Sequence, residues 1–471
     1  MASGFKRNRG GDEYVFVDGR AVRSDEVIRV DLGPSSVPGQ EEAATVPGAA
    51  EVAPAAKKPS FLKRGEKKGE GSMGAALKKM DSEDAFALTA DAEAGELSMQ
   101  HTERLMQEDK RILRLKYLGF GVAIFAVALF GLCVDASRPG NFRAPWEALQ
   151  SVATWVTLVP SMLFDQDMYI RSFNQINADM PYYAGTVTQM WNVFKFAVCG
   201  ILLALSGMLY QNTFRNPIAA PSMLGVSNGI NIALLVLVLQ FGYTAAQYSD
   251  LYYLYSTIGG LGVLVLVILG GKWISGKGRF NVVNMILMGT IISQLLGIIV
   301  SYVQTYFMDD ATWIVYSELQ NATTATSVWM YITLIVGALI ALVPVFLFRF
   351  KLNLISFSDE ETRLLGVDPT KLRILALGCG SIMILVAQMN AGQVAMASLI
   401  IPFIVRAVFG SEFRKQLGGN IAIGAFVILT CGIIGQIVTI EGTSVGIGSV
   451  VSIVAIPLFV WMLAIRQKSW E

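Results

Sequence analysis

Ten long apolar runs constrain this chain more than any other feature of it. They fall near residues 117–134, 191–210, 224–241, 254–274, 282–306, 326–348, 374–390, 394–409, 419–440 and 446–465. A helix rises about 1.5 Å per residue, so runs of this kind suit the roughly 30 Å of hydrocarbon in a bilayer; the eighth is the shortest. Composition agrees, because 53% of the 471 residues are hydrophobic and 15% charged, an apolar share that few soluble domains carry. The expected fold is all-α and polytopic, with ten transmembrane helices.

An even number of spans places both termini on one side, and the Lys and Arg of short loops say which side that is. Lys110, Arg111, Arg114 and Lys116 precede the first run, and Arg215 follows the second. Lys272, Lys277 and Arg279 follow the fourth; Lys351, Arg363, Lys371 and Arg373 the sixth; Arg406, Arg414 and Lys415 the eighth; Arg466 and Lys468 the tenth. All share one side of a ten-span chain. The opposite short loops carry Asp250, Asp309, Asp310, Glu318 and Glu441 without Lys or Arg. In the long loop 135–190, Arg138, Arg143 and Arg171 are balanced by acids, and Trp146, Trp155, Phe164, Tyr169, Tyr182 and Tyr183 suit anchoring at the membrane interface. Both termini are therefore expected in the cytoplasm. The first apolar run begins only at Tyr117, too deep for a cleavable secretory signal.

Residues 1–97 are poor in apolar side chains and rich in Pro, Gly and charge, so a mostly disordered cytoplasmic extension is expected there. Two alternating runs, Tyr14–Asp18 and Val27–Asp31, could pair as a short hairpin. Residues 98–116 turn helical and basic, an amphipathic lead-in to the membrane domain at 117–471. Cys133, Cys199, Cys379 and Cys431 stand singly in or beside apolar runs and are read as small core residues. The one histidine, His101, precedes the runs, which excludes a histidine-based catalytic or haem-ligating centre inside the membrane.

The runs hold no Asp or Glu, whereas proton-coupled carriers retain such costly groups for work. A phosphate loop of the GxxxxGK[ST] type is missing, so a pump built on this chain would need a separate motor. Clusters able to act as nucleophile and base are also missing from the runs, which disfavours an enzyme.

Two segments carry more information. Gly200 to Gly229 reads GILLALSGMLYQNTFRNPIAAPSMLGVSNG, where two prolines break the helical pattern beside Arg215, so a rigid re-entry between spans two and three is expected. Gly200, Ala204, Ser206 and Gly207, like Gly259, Gly260 and Gly262, suit close helix approach. SDEETRLLGVDPT opens with Ser358 before Asp359, Glu360 and Glu361, the N-cap and acidic first turn of a short helix between spans six and seven.

The first segment resembles the FecCD-type permeases that import iron-siderophores, haem and cobalamin, whose pattern is GAxLAxSGxxxQxxxRNPLAxPxxLGxxxGA. Asn353–Gly366, Gly392–Arg414 and Val445–Phe459 resemble further motifs of that family in order, so the likeness covers roughly 117–471. It implies a ten-helix scaffold using Gln211, Arg215, Asn216, Pro217, Pro221, Gly225, Gly229, Pro402, Arg406 and Arg414. It makes 353–366 the coupling segment, with ATPase contact on Asn353, Asp359, Glu360, Leu365 and Gly366. The implied activity is that of a non-enzymatic permease subunit in the cytoplasmic membrane, moving a metal chelate by alternating access. Ferric siderophore is the expected substrate, haem or cobalamin the alternatives, and an ion-coupled secondary transporter or a non-transporting scaffold the readings of other classes.

The implied partners are P-loop ATPase subunits that bind ATP and Mg, a second permease chain, an extracytoplasmic substrate-binding protein and membrane lipid. This chain is expected to hold no cofactor or metal of its own and no nucleic acid. It also departs from the family. The RLPR tetrad that precedes span two, source of the arginines that dock the binding protein, aligns with Gln189, Met190, Trp191 and Asn192, with Lys195 the nearest cation. A third outward arginine aligns with Gln436; Phe403 and Phe413 stand where His is common, and Gly446 where Pro is. Docking that is polar, reversed in sign through Asp309 and Asp310, or carried by a different second permease in a heterodimer is the expectation.

Overall fold

The computed structural model describes residues 14–17, 20–23, 110–135, 141–276, 282–321, 328–440 and 443–468. It separates into two units, Met1–Ala90 and Asp91–Glu471. In the first, β1 (Tyr14–Val17) and β2 (Arg20–Arg23) pair antiparallel, with Tyr14 opposite Arg23 and Val17 opposite Arg20. The hairpin starts where expected, but its second strand is Arg20–Arg23; Val27–Asp31 lies outside the described residues. The reason is the connection, since only Asp18 and Gly19 separate the strands, and Asp-Gly is a favoured two-residue hairpin link. The register then sets Val15 opposite Val22 and Phe16 opposite Ala21, apolar pairs that support a ladder.

The second unit is a bundle of helices. α1 (Lys110–Leu132) is continuous from the basic lead-in through the first apolar run, so 110–116 belongs to the span helix; 98–109 lies outside the described residues. α2 (Pro145–Phe164) and α3 (Gln166–Asp179) fill the long aromatic loop. There follow α4 (Tyr183–Phe214), α5 (Val226–Phe241), α6 (Ser249–Ser275), α7 (Val282–Phe307), α8 (Asp310–Asn321) and α9 (Val328–Leu347). The short α10 (Asp359–Leu364) leads into α11 (Pro369–Ala391), α12 (Ala395–Phe409), α13 (Phe413–Ile437) and α14 (Ile447–Lys468). Strand pairs in this unit are confined, among the described residues, to Thr439–Ile440 with Thr443–Ser444.

Eight helices among the described residues are long and apolar enough to cross a membrane. The eighth and tenth expected runs form helices whose apolar stretches are shorter, Met396–Phe409 and Ile447–Pro457. α12 is short because the chain breaks at Gly392, whose φ of +77° is a backbone state L side chains resist. Gly392 lies against the Gln320 and Asn321 carbonyls, and a Cβ there would come within 2.6 Å of Asn321 O.

α4 is the axis of the bundle, packed along α13, α11 and α12. At 32 residues it spans roughly 48 Å. Its small residues permit that packing as expected: a Cβ at Gly200 would lie 2.2 Å from Gly424 O, and one at Gly207 would lie 1.6 Å from Ser398 O. Gly229 and Gly259 bring α5 and α6 equally close. Gly262 does not share this use, for nothing lies within 4 Å of the Cβ it would carry. Ser206 donates to Gly380 O at 2.6 Å and Tyr210 shares a hydrogen bond with Ser381, pinning α4 to α11. Leu118, Val122 and Phe125 of α1, like Leu287, Ile291 and Ile298 of α7, are exposed instead, which is how a lipid-facing surface reads. The chain is an integral membrane protein.

Candidate functional site

At one end of the bundle the two informative segments meet. α4 stops at Arg215, which has φ 50° and ψ 31°; no other non-glycine residue among those described has a positive φ. The left-handed state costs an ordinary residue roughly 1–2 kcal/mol. It closes the helix, with Arg215 N–H reaching Asn212 O and Asn216 N–H reaching Gln211 O at 3.1 Å, and it aims the side chain across to residues 357–359. There the Arg215 guanidinium donates to Phe357 O and, at 3.3 Å, to Asp359 Oδ1. Arg373, in the first turns of α11, grips the same carboxylate on both oxygens. Asp359 thus joins the ends of α4 and α11 to the start of α10. Each ion pair is partly exposed and contributes little stability by itself, but two planar guanidiniums on one carboxylate fix geometry.

α10 is capped at both ends. Glu361 N–H donates to Ser358 Oγ at 3.2 Å, and Ser358 N–H donates to the Glu361 carboxylate at 2.8 Å, a reciprocal capping box. The Ser358 backbone N–H first, and then its hydroxyl, hold the Glu361 carboxyl below the usual glutamate range, with Arg215 adding in the same direction. Thr362 is buried and its hydroxyl donates to Leu354 O and Ser358 O. The helix ends at Gly366, φ +76°, whose N–H meets Arg363 O at 2.9 Å, while Val367 N–H reaches Thr362 O.

Of the residues expected to meet the ATPase, Asn353, Glu360, Leu365 and Gly366 are exposed on this end. Asp359 is different: its carboxylate faces Arg215 and Arg373 within the chain. Sequence reasoning missed Leu364, at 87% the most exposed large apolar residue among those described, and Phe357 at 45%. The run of two leucines before Gly366 was the available signal, because a four-residue spacing back to Glu360 sets Leu364 on the same helix face. Arg373 carried no local signal; only the fold brings it to Asp359.

The scaffold residues behave as connectors. Asn216 Oδ1 accepts from Ile218 N–H beside Pro217, and Pro221 opens a 3-10 turn, Pro221–Leu224, that Gly225 ends at φ +74°. This is the rigid re-entry expected. Gln211 donates to Leu399 O at 2.9 Å, tying α4 to α12. Pro402 packs at Gly207, and Arg406 lies over the Phe403 ring at 5.7 Å. Arg414 is exposed in the first turn of α13.

Of the positions aligned with the docking arginines, Gln189 and Asn192 are buried and Gln436 is half-buried. Gln189 is fully buried; its amide donates to Gln436 Oε1 at 2.7 Å and to Gly131 O at 3.0 Å, and accepts from Asn192. An amide network therefore ties α1, α4 and α13 where charges were sought. Lys195 is 1% exposed and sits by the Phe196 ring at 5.2 Å, so it presents no cation outward. Asp309 and Asp310 are exposed. Asp309 also caps α8: the Thr312 hydroxyl first, and then its backbone N–H, hold that carboxyl below its usual range.

The model of the FecCD transport family matches residues 170–465. The "Probable iron chelatin transport system permease protein" of Helicobacter pylori (strain ATCC 700392 / 26695) is 26% identical over 264 residues, 56% of this chain and 77% of that protein. The "Hemin transport system permease protein HmuU" of Yersinia pestis is 28% identical over 282 residues, 59% and 81% of the two chains. A solved structure titled "An inward-facing conformation of a putative metal-chelate type ABC transporter" shares the fold with a TM-score of 0.59 at 20% identity, over 74% of this chain and 99% of that one. With the re-entrant RNP turn, the capped α10 and a family match across most of its helical unit, this chain belongs to the FecCD transport family.

Proposed function

We propose that the chain is the transmembrane permease subunit of an ATP-binding-cassette importer for an iron chelate. The observation that carries this reading is α10: a short helix capped at both ends, held to α4 and α11 through Asp359, and offering Glu360, Leu364 and Leu365 outward. A separate P-loop ATPase, holding ATP and Mg, grips that face and moves α4 and α11 to alternate access across the bilayer. The chain crosses the cytoplasmic membrane ten times with both termini inside, counting the shorter α12 and α14. Ferric siderophore is the proposed cargo; haem is the second reading, favoured by the haem-iron names of relatives from Yersinia pestis and Staphylococcus aureus. A binding protein delivers the chelate from outside. The burial of Gln189, whose amide is engaged with Gln436, favours docking through another surface and a second, different permease chain.

Affinity purification of the tagged chain from its native membrane, followed by mass spectrometry, tests the proposal. A co-purifying ATPase, and its loss in the Leu364→Asp/Leu365→Asp variant with extraction and thermal midpoint unchanged, is the expected result. Isolation of the chain alone, with uptake of labelled chelate indifferent to ATP, sinks it.

A further inference from the structure

A cavity of about 170 Å³ opens between the helical turn Arg349–Leu352 that follows α9 and the first turn of α13. A single water needs roughly 10–15 Å³, so the space is large enough for a polar group of several heavy atoms. Arg349, Phe350, Asn353, Glu412 and Arg414 line it. Arg349 rests over the Phe350 ring at 5.0 Å. Among the described residues neither Arg349 nor Arg414 forms an ion pair, and the one acid at the rim, Glu412, is matched to Lys415 at 3.3 Å. Two guanidiniums therefore converge on a cavity whose own carboxylate is already engaged.

What lies next to the cavity decides between possible anions. α9 crosses the membrane by length and composition, and its exposed face is an apolar stripe of Val336, Leu339, Ile340, Val343 and Leu347 that runs on to Phe350, 73% exposed at the rim. The cavity opens where this stripe ends. A ligand with a phosphate at one end and a hydrocarbon chain at the other matches both parts: planar guanidiniums pair bidentately with phosphate oxygens, and basic pockets between span helices on the cytoplasmic side hold anionic headgroups. We propose that this cavity is a binding site for one anionic phospholipid, its phosphate between Arg349 and Arg414 and an acyl chain along α9. The site needs only that the chain be embedded in a membrane, so it stands apart from the transported cargo.

The test is competition in vesicles. The purified full chain is stripped of lipid, returned to phosphatidylcholine vesicles with or without phosphatidylglycerol, and the lipids it retains on extraction are counted by native mass spectrometry. The wild type is expected to keep one phosphatidylglycerol per chain. Retention falls about fivefold for Arg349→Gln or Arg414→Gln and about 30-fold for the double variant, at roughly 1 kcal/mol per arginine near the surface. Arg363→Gln, which alters an arginine that does not line the cavity, changes nothing. Equal retention of phosphatidylcholine, unchanged retention in the variants, or displacement of phosphatidylglycerol by inorganic phosphate overturns the site as a lipid site. So does release of a bound ATPase by the same variants at unaltered lipid retention, which makes the cavity a seat for an acidic partner residue. Where the double variant fails to insert, the two single variants carry the same comparison.

Discussion

Single residues show where family likeness and structure part company. Gln189 aligns with a charged docking position, yet it is buried and its amide is bonded to Gln436 and Gly131. Gln189→Arg therefore buries an unpaired charge, a penalty of several kcal/mol. Poorer yield and a lowered thermal midpoint in detergent are expected; a stable variant with a trypsin-accessible arginine shows instead that the position faces water. Gly446, where the family has proline, has the same kind of explanation. A Cβ there would lie 2.5 Å from Asn321 Oδ1, so the Asn321 side chain occupies the space a larger residue would need. Phe413 replaces a common histidine and is 6% exposed beside the cavity that Arg414 lines. The sequence named these departures but could not explain them, because each depends on an atom more than a hundred residues away or on a helix end packed against another.

Among elements, α10 and α12 were both legible, α12 forming over Ala395–Phe409 where an apolar run at 394–409 was expected, whereas the helices α2, α3 and α8 were not. Ser358 followed three residues later by Glu361 is a local signature, and the structure forms both of its hydrogen bonds. Ser358→Ala removes the cap at about 1 kcal/mol, about fivefold faster amide exchange across 359–366; unchanged exchange would mean that partners or packing alone hold this helix. Because Glu361 has its carboxyl pKa lowered on folding, its contribution is present above the ordinary value of 4.5 and is lost as pH falls through the lower folded value. Protection factors across α10, referred to the intrinsic exchange rate at each pH, should accordingly fall on acidification below about pH 4 relative to about pH 7, and Glu361→Gln should flatten that response. Between elements, Gly207 and Ser398 set how closely α4 meets α12. Gly207→Ala places a methyl 1.6 Å from a backbone oxygen that cannot swing aside, an overpacking cost of about 1–3 kcal/mol. A fall in thermal midpoint is expected, and a midpoint equal to the wild type refutes the close approach.

At the scale of the molecule, residues 1–90 and 91–471 form separate units. A chain shortened to begin at residue 98 is expected to insert and melt as the full chain does; failure to insert would give the extension a part in folding. Within the helical unit, several of the segments expected on the positive side touch one another. Lys116 bonds Val408 O, Tyr117 donates to Lys415 O, and Arg215 and Arg373 share Asp359. Apolar runs and caps determined that the chain is helical, where its long apolar helices run and where α10 starts, because hydrocarbon thickness and backbone capping act on contiguous residues. Tertiary structure alone decided that Asp359 is gripped by two arginines from other helices, that buried Gln189 meets Gln436, and that Arg349 and Arg414 face one cavity. Those contacts join residues far apart in the chain, and no local pattern records which side chains a folded bundle will bring within hydrogen-bonding distance.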